Sequence, residues 1–560
     1  MKKLFTFICI AALTVAKSQT PSLNWVNGLT GGNGKACSVK TDNSGNIYIA
    51  GNFMGTIDFD PSASTATLQA FGNSDIYLAK YDINGNYIWA KLIGGTSALD
   101  YAKCIALDNS GNIYMTGSTD GNSDFDPSAS VATLSTSVQQ MYFAKYDNNG
   151  NYVFAKILQA SGGNEGLGIT VDNAGNIYIT GNKTGQTDFD PSGNTVYLNN
   201  IGNSDTYLAK YDNLGNYQWA MNLGSNLNDY GYSITCDANN DILIAGEFRN
   251  VINFDPIGGS STGTLVSNNQ GDGFVAKYLS NGNLVWAQKI GGTSVRNIAL
   301  DGQNNIFICG EYRNGGDFDP SASTFSISES GNGGSFVAKY DNNCSFNWAK
   351  GFTGPSSEVA TSLATDASGN VYAGGQFFGT SDFDPTAGTN TLTSNGSNDF
   401  FIVGLNGSGN MLFVTTHGGT NGDNSNSLAV YGSNLINLGD FSQTVDFDPA
   451  VTTNTLFTFG TSAAYIQNLS IAGFVSGIHE SANEITLSVS PNPASNHITL
   501  KHSLNNSINL TITDQSGRVV ANYNNVASGD QIPINLSEGL YFCSVVQNGT
   551  TLKTNKLIIQ

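Results

Sequence analysis

Short alternating runs of apolar and polar residues, separated by turns rich in Gly and Asn, fill most of the chain. In the first such stretch, residues 36–42 (ACSVKTD) and 46–53 (NIYIAGNF) flank the turn N-S-G, and residues 75–82 (DIYLAKYD) and 86–94 (NYIWAKLIG) flank I-N-G. Runs of β-branched and aromatic residues around such turns predict β-hairpins, because Asn and Gly adopt positive φ at low cost. The stretch therefore predicts two hairpins, four strands in all, joined by a long loop.

This pattern recurs along the chain, and the long loop carries the tetrapeptide DFDP each time. The copies lie at 58–61, 124–127, 188–191, 317–320, 382–385 and 446–449, with the variant NFDP at 253–256, so that successive copies are 64 to 66 residues apart. Helical periodicity is not visible in any repeat. Repeated four-stranded antiparallel units predict an all-β fold, a seven-bladed β-propeller.

The two ends of the repeat region predict how the ring closes. The last repeat has a third strand at 463–470 (AAYIQNLS) but no fourth strand, whereas residues 22–32 (SLNWVNGLTGG) resemble a fourth strand, with Trp25 at the position of Trp89. An open array would leave bare sheet edges at both ends. We therefore predict that the N-terminal strand completes the last blade.

Charge and the N-terminal residues predict an exported protein. The 23 Lys and Arg against 43 Asp and Glu give a formal net charge of −20, which makes nucleic acid and anionic membrane surfaces poor partners. Lys2 and Lys3 precede an apolar run at 4–16 and then small residues, which is typical of a signal peptide, here residues 1–18. The later chain has no apolar stretch long enough to span a membrane, so we expect no transmembrane segment in the mature chain.

Residues 21–475 resemble the SBBP-type β-propeller repeat family. The resemblance rests on a G-G turn, the segment D-x-x-G-N-I-Y, a short D-F element and an A-K-Y strand, all visible in most repeats. It implies a propeller, found in secreted and surface proteins, without fixing an activity. We assign residues 19–475 to this domain and residues 476–484 to a linker.

The tail at 485–560 alternates apolar runs with Gly, Asn and Pro turns, which predicts a small Ig-like β-sandwich. It resembles the type A C-terminal sorting domain of the type IX secretion system. The matching residues are Pro491, Asn492, Pro493, Gly517, Gly539, Tyr541 and Lys556. The resemblance implies passage through the type IX secretion machinery of a Gram-negative bacterium, and hence a secreted or outer-membrane-surface location. The alternative is an ordinary accessory sandwich.

The DFDP carboxylates are candidate calcium ligands, because hard oxygen ligands at alternate positions resemble the start of a calcium loop. The candidates are Asp58, Asp60, Asp124, Asp126, Asp188, Asp190, Asp255, Asp317, Asp319, Asp382, Asp384, Asp446 and Asp448. The Gly at position six and the Glu at position twelve of a calcium loop are missing. Two alternatives stay open: local turn structure, in which the carboxylates cap backbone N–H groups, and acid–base catalysis on a glycoside. Catalysis is disfavoured because an active site is normally singular.

Several repeated positions carry further expectations. Long loops and blade-to-blade links should share one face of the propeller, and the link acids together with the thirteen DFDP-loop carboxylates should make that face strongly acidic; the link acids are Asp100, Glu165, Asp229, Glu358 and Asp423. The repeated lysines are expected to be solvated strand residues; they are Lys80, Lys145, Lys210, Lys277 and Lys339. The fourth-strand aromatics are expected in the packing between blades.

These features predict an extracellular or cell-surface binding or adhesion protein, with a glycan or protein ligand that the sequence does not name. We expect no enzyme, because no repeat stands out by a unique polar cluster. The alternatives are a secreted polysaccharide-acting hydrolase or lyase and a structural surface-layer component. Ca²⁺ is the candidate cofactor.

Overall fold

The computed structural model describes residues 20–560 except 97–98, 259–262, 268–269, 328–332, 355–357, 387, 451–452, 459, 475–486, 503–507, 515–517 and 548–549. The predicted signal peptide and linker lie outside the described residues. The chain divides into two compact units, residues 1–476 and 477–560. The described residues form β-strands, turns and loops, with no α-helix among them. No helix in this part of the chain is long and apolar enough to cross a membrane.

The strands of the first unit are numbered in chain order. Its first part contains β1 (Ser22–Leu29), β2 (Asn33–Thr41), β3 (Ile47–Met54), β4 (Thr56–Asp58), β5 (Thr67–Gln69), β6 (Asp75–Tyr81), β7 (Tyr87–Ile93), β8 (Tyr101–Leu107), β9 (Ile113–Thr119), β10 (Asn122–Asp124), β11 (Thr133–Ser135), β12 (Gln140–Tyr146) and β13 (Tyr152–Leu158). Its middle part contains β14 (Asn164–Val171), β15 (Ile177–Lys183), β16 (Thr187–Asp188), β17 (Tyr197–Leu198), β18 (Asp205–Tyr211), β19 (Tyr217–Leu223), β20 (Tyr230–Cys236), β21 (Ile242–Phe248), β22 (Val251–Asn253), β23 (Thr264–Val266), β24 (Asp272–Tyr278) and β25 (Leu284–Leu300). Its last part contains β26 (Ile306–Asp317), β27 (Gly334–Tyr340), β28 (Phe346–Thr353), β29 (Val359–Thr365), β30 (Val371–Asp382), β31 (Thr391–Leu405), β32 (Met411–His417), β33 (Asn424–Tyr431), β34 (Asn434–Phe441), β35 (Thr444–Asp446), β36 (Thr455–Phe457) and β37 (Ala463–Ser470).

These strands pair as antiparallel four-stranded units, the blades. The units are β2-β3-β6-β7, β8-β9-β12-β13, β14-β15-β18-β19, β20-β21-β24-β25, β25-β26-β27-β28, β29-β30-β31-β32 and β33-β34-β37-β1. The long strand β25 is the outer strand of the fourth blade and continues as the inner strand of the fifth. In the last blade β1 pairs with β37 from Ser22 opposite Ser470 to Leu29 opposite Ala464. The predicted closure by the N-terminal strand is therefore confirmed.

The inner strands form a closed ring. Strands β2, β8, β14, β20, the second half of β25, β29 and β33 each contact the next, and β33 contacts β2. At this closing contact the Val39 N–H donates to Ser427 Oγ (3.1 Å). Ile436 and Leu438 of the last blade share one core with Ile49 of the first, and burying each such side chain contributes about 1.5–3 kcal/mol. The described strands thus confirm an all-β propeller around a central channel.

Each blade has two distinguishable ends. The blade-to-blade links pair with the next blade's DFDP hairpin, as in the bridges Thr30–Asp58 and Gly94–Asp124. This end is called the link face. The opposite end carries the tight Gly/Asn turns and is called the turn face; there Asp42 accepts N–H groups from Ser44 and Asn46 at 2.9 Å.

The second unit is a two-sheet sandwich. Its strands are β38 (Leu487–Ser490), β39 (His497–His502), β40 (Ile508–Asp514), β41 (Val519–Val526), β42 (Gln531–Pro533), β43 (Gly539–Gln547) and β44 (Thr550–Ile559). The sheets β38-β39-β42 and β41-β40-β43-β44 share a core that includes Ile498, Leu510 and Leu557. The predicted small sandwich is confirmed.

Candidate functional site

The DFDP carboxylates hold their own loop together. Asp58 Oδ1 accepts the N–H groups of Asp60 (3.1 Å) and Ala66 (2.8 Å), and Asp60 Oδ1 accepts that of Ser62 (2.9 Å). Each carboxylate therefore satisfies backbone donors of a loop that lacks a strand partner of its own, as Asp does in Asx turns. These bonds hold the loop that connects β4 to β5.

The other loops repeat this arrangement. Equivalent bonds are made by Asp124, Asp126, Asp188, Asp190, Asp317, Asp319, Asp382, Asp384, Asp446 and Asp448. In the variant loop, Asn253 Oδ1 accepts the Asp255 N–H and Asp255 Oδ1 that of Gly258, both at 2.9 Å. The structure brings two candidate ligands together in each DFDP loop and one in the NFDP loop, and the described residues contain no group of three or more His, Cys, Asp or Glu side chains able to hold a metal. Local turn structure accounts for the bonds, and calcium binding stays a prediction.

The Phe of each motif anchors the loop to its blade. Phe59 is fully buried between Phe53 and Tyr77, with ring centroids 6.1 and 5.2 Å away. The Tyr81 hydroxyl donates to the Phe59 carbonyl (2.8 Å). The motif therefore combines a buried aromatic ring with two turn-forming carboxylates. Each blade has one loop of this kind, so the motif occurs once per repeat.

The link acids do not form the acidic surface that was predicted. Asp100, Asp229, Glu358 and Asp423 are buried, so their expected contribution to an exposed acidic face is wrong. Glu165, at 28% side-chain exposure, is the more accessible fifth acid and lies 3.7 Å from Lys103 Nζ. Burial is the main cause that raises the pKa of these four carboxyls, to about 7 for Asp100 and about 6 for Asp229 and Asp423, and nearby carboxylates add to the rise at these three.

The reason lies in the geometry of the link. A chain leaving an outer strand for the next inner strand turns sharply, and its backbone N–H groups need acceptors. Asp229 Oδ2 accepts the Ser225 N–H (2.6 Å), and Asp423 Oδ2 accepts that of Gly419 (2.7 Å). These carboxylates therefore serve as hydrogen-bond acceptors for the backbone of the links.

The repeated lysines are less solvated than predicted, since two of the five are buried and the other three are half-buried. Lys80 is 9% exposed; its Nζ lies 4.7 Å from the Tyr48 ring centroid and donates to the Asn148 carbonyl of the next blade (3.3 Å). Burial lowers its pKa. The position is covered by the neighbouring blade's turn, so the Lys bridges blades.

The fourth-strand aromatics pack between blades, as predicted. Trp25 Nε1 donates to the Ile83 carbonyl of the first blade (3.0 Å). A Cβ at Gly85, whose φ is +81°, would lie 2.8 Å from the Trp25 ring. The Gly of the turn is therefore required by both its φ and the ring that covers it.

The central channel is the concave site of the propeller. A cavity of about 550 Å³ is lined by the seven inner strands. A second cavity of about 410 Å³ lies towards the link face, with Lys35, Tyr101 and Asp440 among its lining residues. Cys37, Lys103, Thr361 and Asn426 line both cavities, so they lie between them. Such pockets are the usual places for ligands.

Every inner strand has a β-bulge at the same position. In β2 the register shifts between Ala36 and Ser38, which leaves Cys37 as the extra residue. The same shift in the other six inner strands leaves one extra residue in each. Together these residues, here called the bulge ring, are Cys37, Lys103, Leu167, Tyr232, Arg296, Thr361 and Asn426, and all line the larger cavity.

The residue at the bulge position differs from repeat to repeat. A bulge re-aims a side chain and is common beside functional sites. The ring contains two cations, a thiol, a phenol, a hydroxyl, an amide and one aliphatic side chain. Repeats that keep the same core thus present different chemistry at one position around the channel.

The fourth and fifth blades add a cluster that sequence inspection missed. Arg296 Nη2 lies 2.7 Å from Glu311 Oε1, which is also 3.4 Å from Arg313 Nη2. The Cζ atom of Arg296 lies 4.4 Å from the Tyr232 ring centroid, and Tyr232 stacks on Tyr230 with centroids 5.7 Å apart. The expectation that no repeat carries a unique polar cluster is therefore wrong. Three of the chain's four Arg fall in these two repeats, which was the signal available in the sequence, but only the strand register brings them together.

Two half-buried groups of the bulge ring, Tyr232 and Cys37, carry no charge at neutral pH. Burial raises the pKa of Tyr232 to about 12, with Arg296 opposing the rise. Burial likewise raises the pKa of the Cys37 thiol to about 12. Both groups are therefore neutral at pH 7, which leaves the cations as the charged members of the bulge ring.

In the sandwich, two separated parts of the predicted sorting signal meet. The Asn492 side chain donates to the Lys556 carbonyl (2.7 Å) and accepts the Ile558 N–H (2.9 Å). Pro491 and Pro493 flank this Asn, and the Tyr541 hydroxyl donates to the Ser537 carbonyl (3.0 Å) near Gly539. Gly517 lies outside the described residues. The P-N-P turn thus fastens the last strand.

Comparison with known families agrees with this architecture. Residues 88–126 match the SBBP β-propeller repeat, and residues 488–560 match the secretion system C-terminal sorting domain. The chain is a β-propeller protein with a C-terminal sorting domain. That domain indicates a type IX secretion-sorted protein, secreted or on the outer-membrane surface of a Gram-negative bacterium.

Individual relatives are distant. The chain is 28% identical over 415 residues to an uncharacterized WD repeat-containing protein, L264, of Acanthamoeba polyphaga mimivirus; the match covers 60% of this chain and spans only 30% of that relative. Among solved structures, a protein of unknown function from Dyadobacter fermentans is 10% identical, with 80% of this chain and 98% of that chain covered and a TM-score of 0.34. Drosophila Semaphorin 2a is 8% identical, with 97% and 99% covered and a TM-score of 0.36. The propeller assignment therefore rests on the strand pairing described above.

Proposed function

We propose that this chain is an extracellular binding protein whose ligand site is the bulge ring. The surface or secreted location follows from the sorting domain. A propeller whose blades share buried cores is a rigid scaffold. A rigid scaffold lowers the entropic cost of binding. Binding or adhesion at the cell surface uses the fold in this way.

One observation carries the proposal. Scaffold positions are kept in most repeats: the Phe59 position is Phe in all seven, the Asp42 position is Asp in six and the Tyr81 position is Tyr in five, whereas the bulge position carries a different residue in every repeat. A ligand is not seven-fold symmetric, so its recognition needs different groups around the channel. The bulge ring supplies these groups beside cavities of about 550 and 410 Å³, a size that suits a small ligand or the end of a larger one.

The site differs from the acidic loop face that sequence inspection favoured. The DFDP carboxylates accept backbone N–H groups within their own loops, and four of the link acids are buried. Both sets are therefore engaged in the scaffold. The channel offers polar groups in a concave setting instead.

An array of extracellular glycans and surface proteins tests the proposal. The mature full-length chain is compared with Tyr232→Ala, in the bulge ring, and with Asp126→Asn, in a DFDP loop. We expect array binding by the parent, at least tenfold weaker binding by Tyr232→Ala and unchanged binding by Asp126→Asn. The reverse pattern would move the site to the loops, and bound glycans that are cleaved would support the hydrolase or lyase alternative.

A further inference from the structure

We propose that the bulge ring binds a carboxylate-bearing saccharide and that Arg296 contacts its carboxylate. This inference rests on the proposed function. The chain carries a formal charge of −20, yet the charged side chains among the described residues lining the larger cavity are Lys40, Lys103 and Arg296. A cationic channel in an acidic protein selects for anions against the field of the rest of the surface.

Arginines are concentrated at this place. The chain has four Arg, and Arg249, Arg296 and Arg313 all lie in the fourth and fifth blades. Arg249 Nη2 lies 3.3 Å from Glu247 Oε1, and Arg296 and Arg313 share Glu311. Three cations against two carboxylates leave one positive charge in the cluster.

The two glutamates stand at a position that is otherwise uncharged in most repeats. Glu247 lies opposite Tyr230, and Glu311 lies opposite Ser294, in the strand register. The equivalent residues of the other blades are Asn52, Ser118, Asn182, Gln376 and Asp440. The fourth and fifth blades thus depart from the repeat together, with paired acids and arginines where the others mostly carry neutral polar groups.

Arg296 is held in place before any ligand arrives. Its guanidinium lies over Tyr232, which stacks on Tyr230 at an interplanar angle of 10°. A guanidinium has five N–H donors in a planar fork, and Glu311 Oε1 receives a bond from Nη2. A planar fork stacked on a ring is preorganised for bidentate pairing with a second carboxylate, which a Lys cannot provide.

The remaining lining favours a saccharide over an acidic peptide. Thr361 and Asn426 of the bulge ring, and Thr365 in the same cavity, line it with hydroxyl and amide groups. Each of them donates to a backbone carbonyl of the neighbouring inner strand at 2.8 Å. Their oxygen atoms are acceptors for the hydroxyl groups of a polyol. A sugar ring carries its carboxylate rigidly, whereas a Glu or Asp side chain of a peptide loses rotamer freedom on binding. The cluster is therefore best matched by a rigid polyhydroxylated acid.

Calorimetry on the mature full-length chain tests this proposal. The probes are oligogalacturonate, oligomannuronate and sialyllactose, each with its methyl ester, which keeps the sugar and removes the charge. Hexaglutamate is the peptide probe. We expect at least one acidic sugar to bind at least tenfold more tightly than its ester and than hexaglutamate.

Matched variants locate the carboxylate. Arg296→Gln is expected to weaken binding of the acidic sugar at least tenfold and to leave any binding of the ester unchanged. Arg518→Gln makes the same chemical change at a 79% exposed side chain of the sorting domain and is expected to have no effect. Equal loss in both variants, or none in Arg296→Gln, would overturn the role of Arg296.

Failure of the ligand class is separable from failure of the proposed function. If no acidic sugar is preferred but Tyr232→Ala still abolishes binding of another array ligand, the saccharide proposal is wrong and the binding site stands. If hexaglutamate binds most tightly, the ligand is an acidic peptide and the proposal is wrong. If Tyr232→Ala changes nothing on the array, the site itself is wrong.

Discussion

Arg296 lies over the ring of Tyr232, with Cζ 4.4 Å from the ring centroid. The two residues come from inner strands of neighbouring blades, each from the bulge of its strand. The contact therefore ties the fourth blade to the fifth at the channel wall. The contact also distinguishes these two blades, because no other pair of neighbouring bulge-ring residues combines an aromatic ring with a cation.

A double-mutant cycle should measure this contact. We expect Arg296→Met and Tyr232→Leu each to lower the free energy of unfolding by about 1–2 kcal/mol, since both also lose packing. The coupling between them should be about 0.5–1 kcal/mol, the usual strength of a partly exposed cation–π pair. Urea unfolding of the four proteins gives the value. Additive effects would show that the two side chains do not interact in solution.

The period of the repeat was sufficient to predict the blades, the closing strand and the buried Phe59, because these depend on features that every repeat shares. The bulge ring could not be predicted in this way. A bulge adds one residue to a strand without changing its apolar alternation visibly, so Lys103 and Tyr232 resemble ordinary strand residues. Only the pairing register shows that they point into the channel.

The errors about charge have a different cause. Asp100 and Lys80 are charged residues in segments that a single blade would leave at its edge, and a sequence treats such residues as exposed. Asp100 is buried with the hydroxyls of Thr119 and Ser123 in the link-face loops of its own blade, whereas the turn of the next blade covers Lys80. Burial between repeats is a property of the ring, so the pattern within one repeat does not report it.

The DFDP carboxylates should behave as turn acceptors. Asp58→Asn keeps an oxygen that can accept the Asp60 and Ala66 N–H groups, so we expect the free energy of unfolding to change by about 0.5 kcal/mol or less. Asp58→Ala leaves both donors without this acceptor and should cost about 1–3 kcal/mol. Denaturant titrations measure both values.

Calcium provides the counter-test for the same loop. Melting of the parent and of Asp58→Asn is followed with added calcium and with a chelator. Turn acceptors predict equal midpoints in both conditions. A rise of several degrees with calcium that Asp58→Asn reduces would instead make this carboxylate a ligand.

The stability of the propeller should contain a term that falls as pH rises. Burial raises the folded-state pKa of Asp100 from 3.8 to about 7. A raised pKa means that the folded state holds the proton more tightly, so this contribution is complete below about pH 4 and is lost as pH rises through about 7. Its size is roughly 2–4 kcal/mol for a shift of this order.

Asp100→Asn isolates the term, because Asn stays neutral throughout. Relative to the parent, its unfolding free energy should rise between pH 4 and pH 7 and level off above. Comparison with the parent removes the opposite contribution of His417, whose pKa burial lowers from 6.5 to about 4. Asp60→Asn, in a loop, is the control. A constant difference between Asp100→Asn and its parent across this range would contradict the expectation.

Strand β1 should be separable from the rest of the propeller and able to return to it. It pairs with β37 along its length, and Trp25 and Asn27 donate to carbonyls of the first blade's turn at 3.0 and 2.9 Å. Deletion of residues 20–29 leaves β37 as a bare edge and removes the Trp25 side chain from the packing between blades. The melting temperature should therefore fall by several degrees. A synthetic peptide of residues 20–30 should restore it in proportion to the logarithm of its concentration, because ligands of the folded state stabilise by mass action. The same peptide with Trp25→Ala should need at least a tenfold higher concentration, since it loses the ring that covers Gly85. An unchanged melting temperature after deletion would mean that the last blade does not depend on the N-terminal strand.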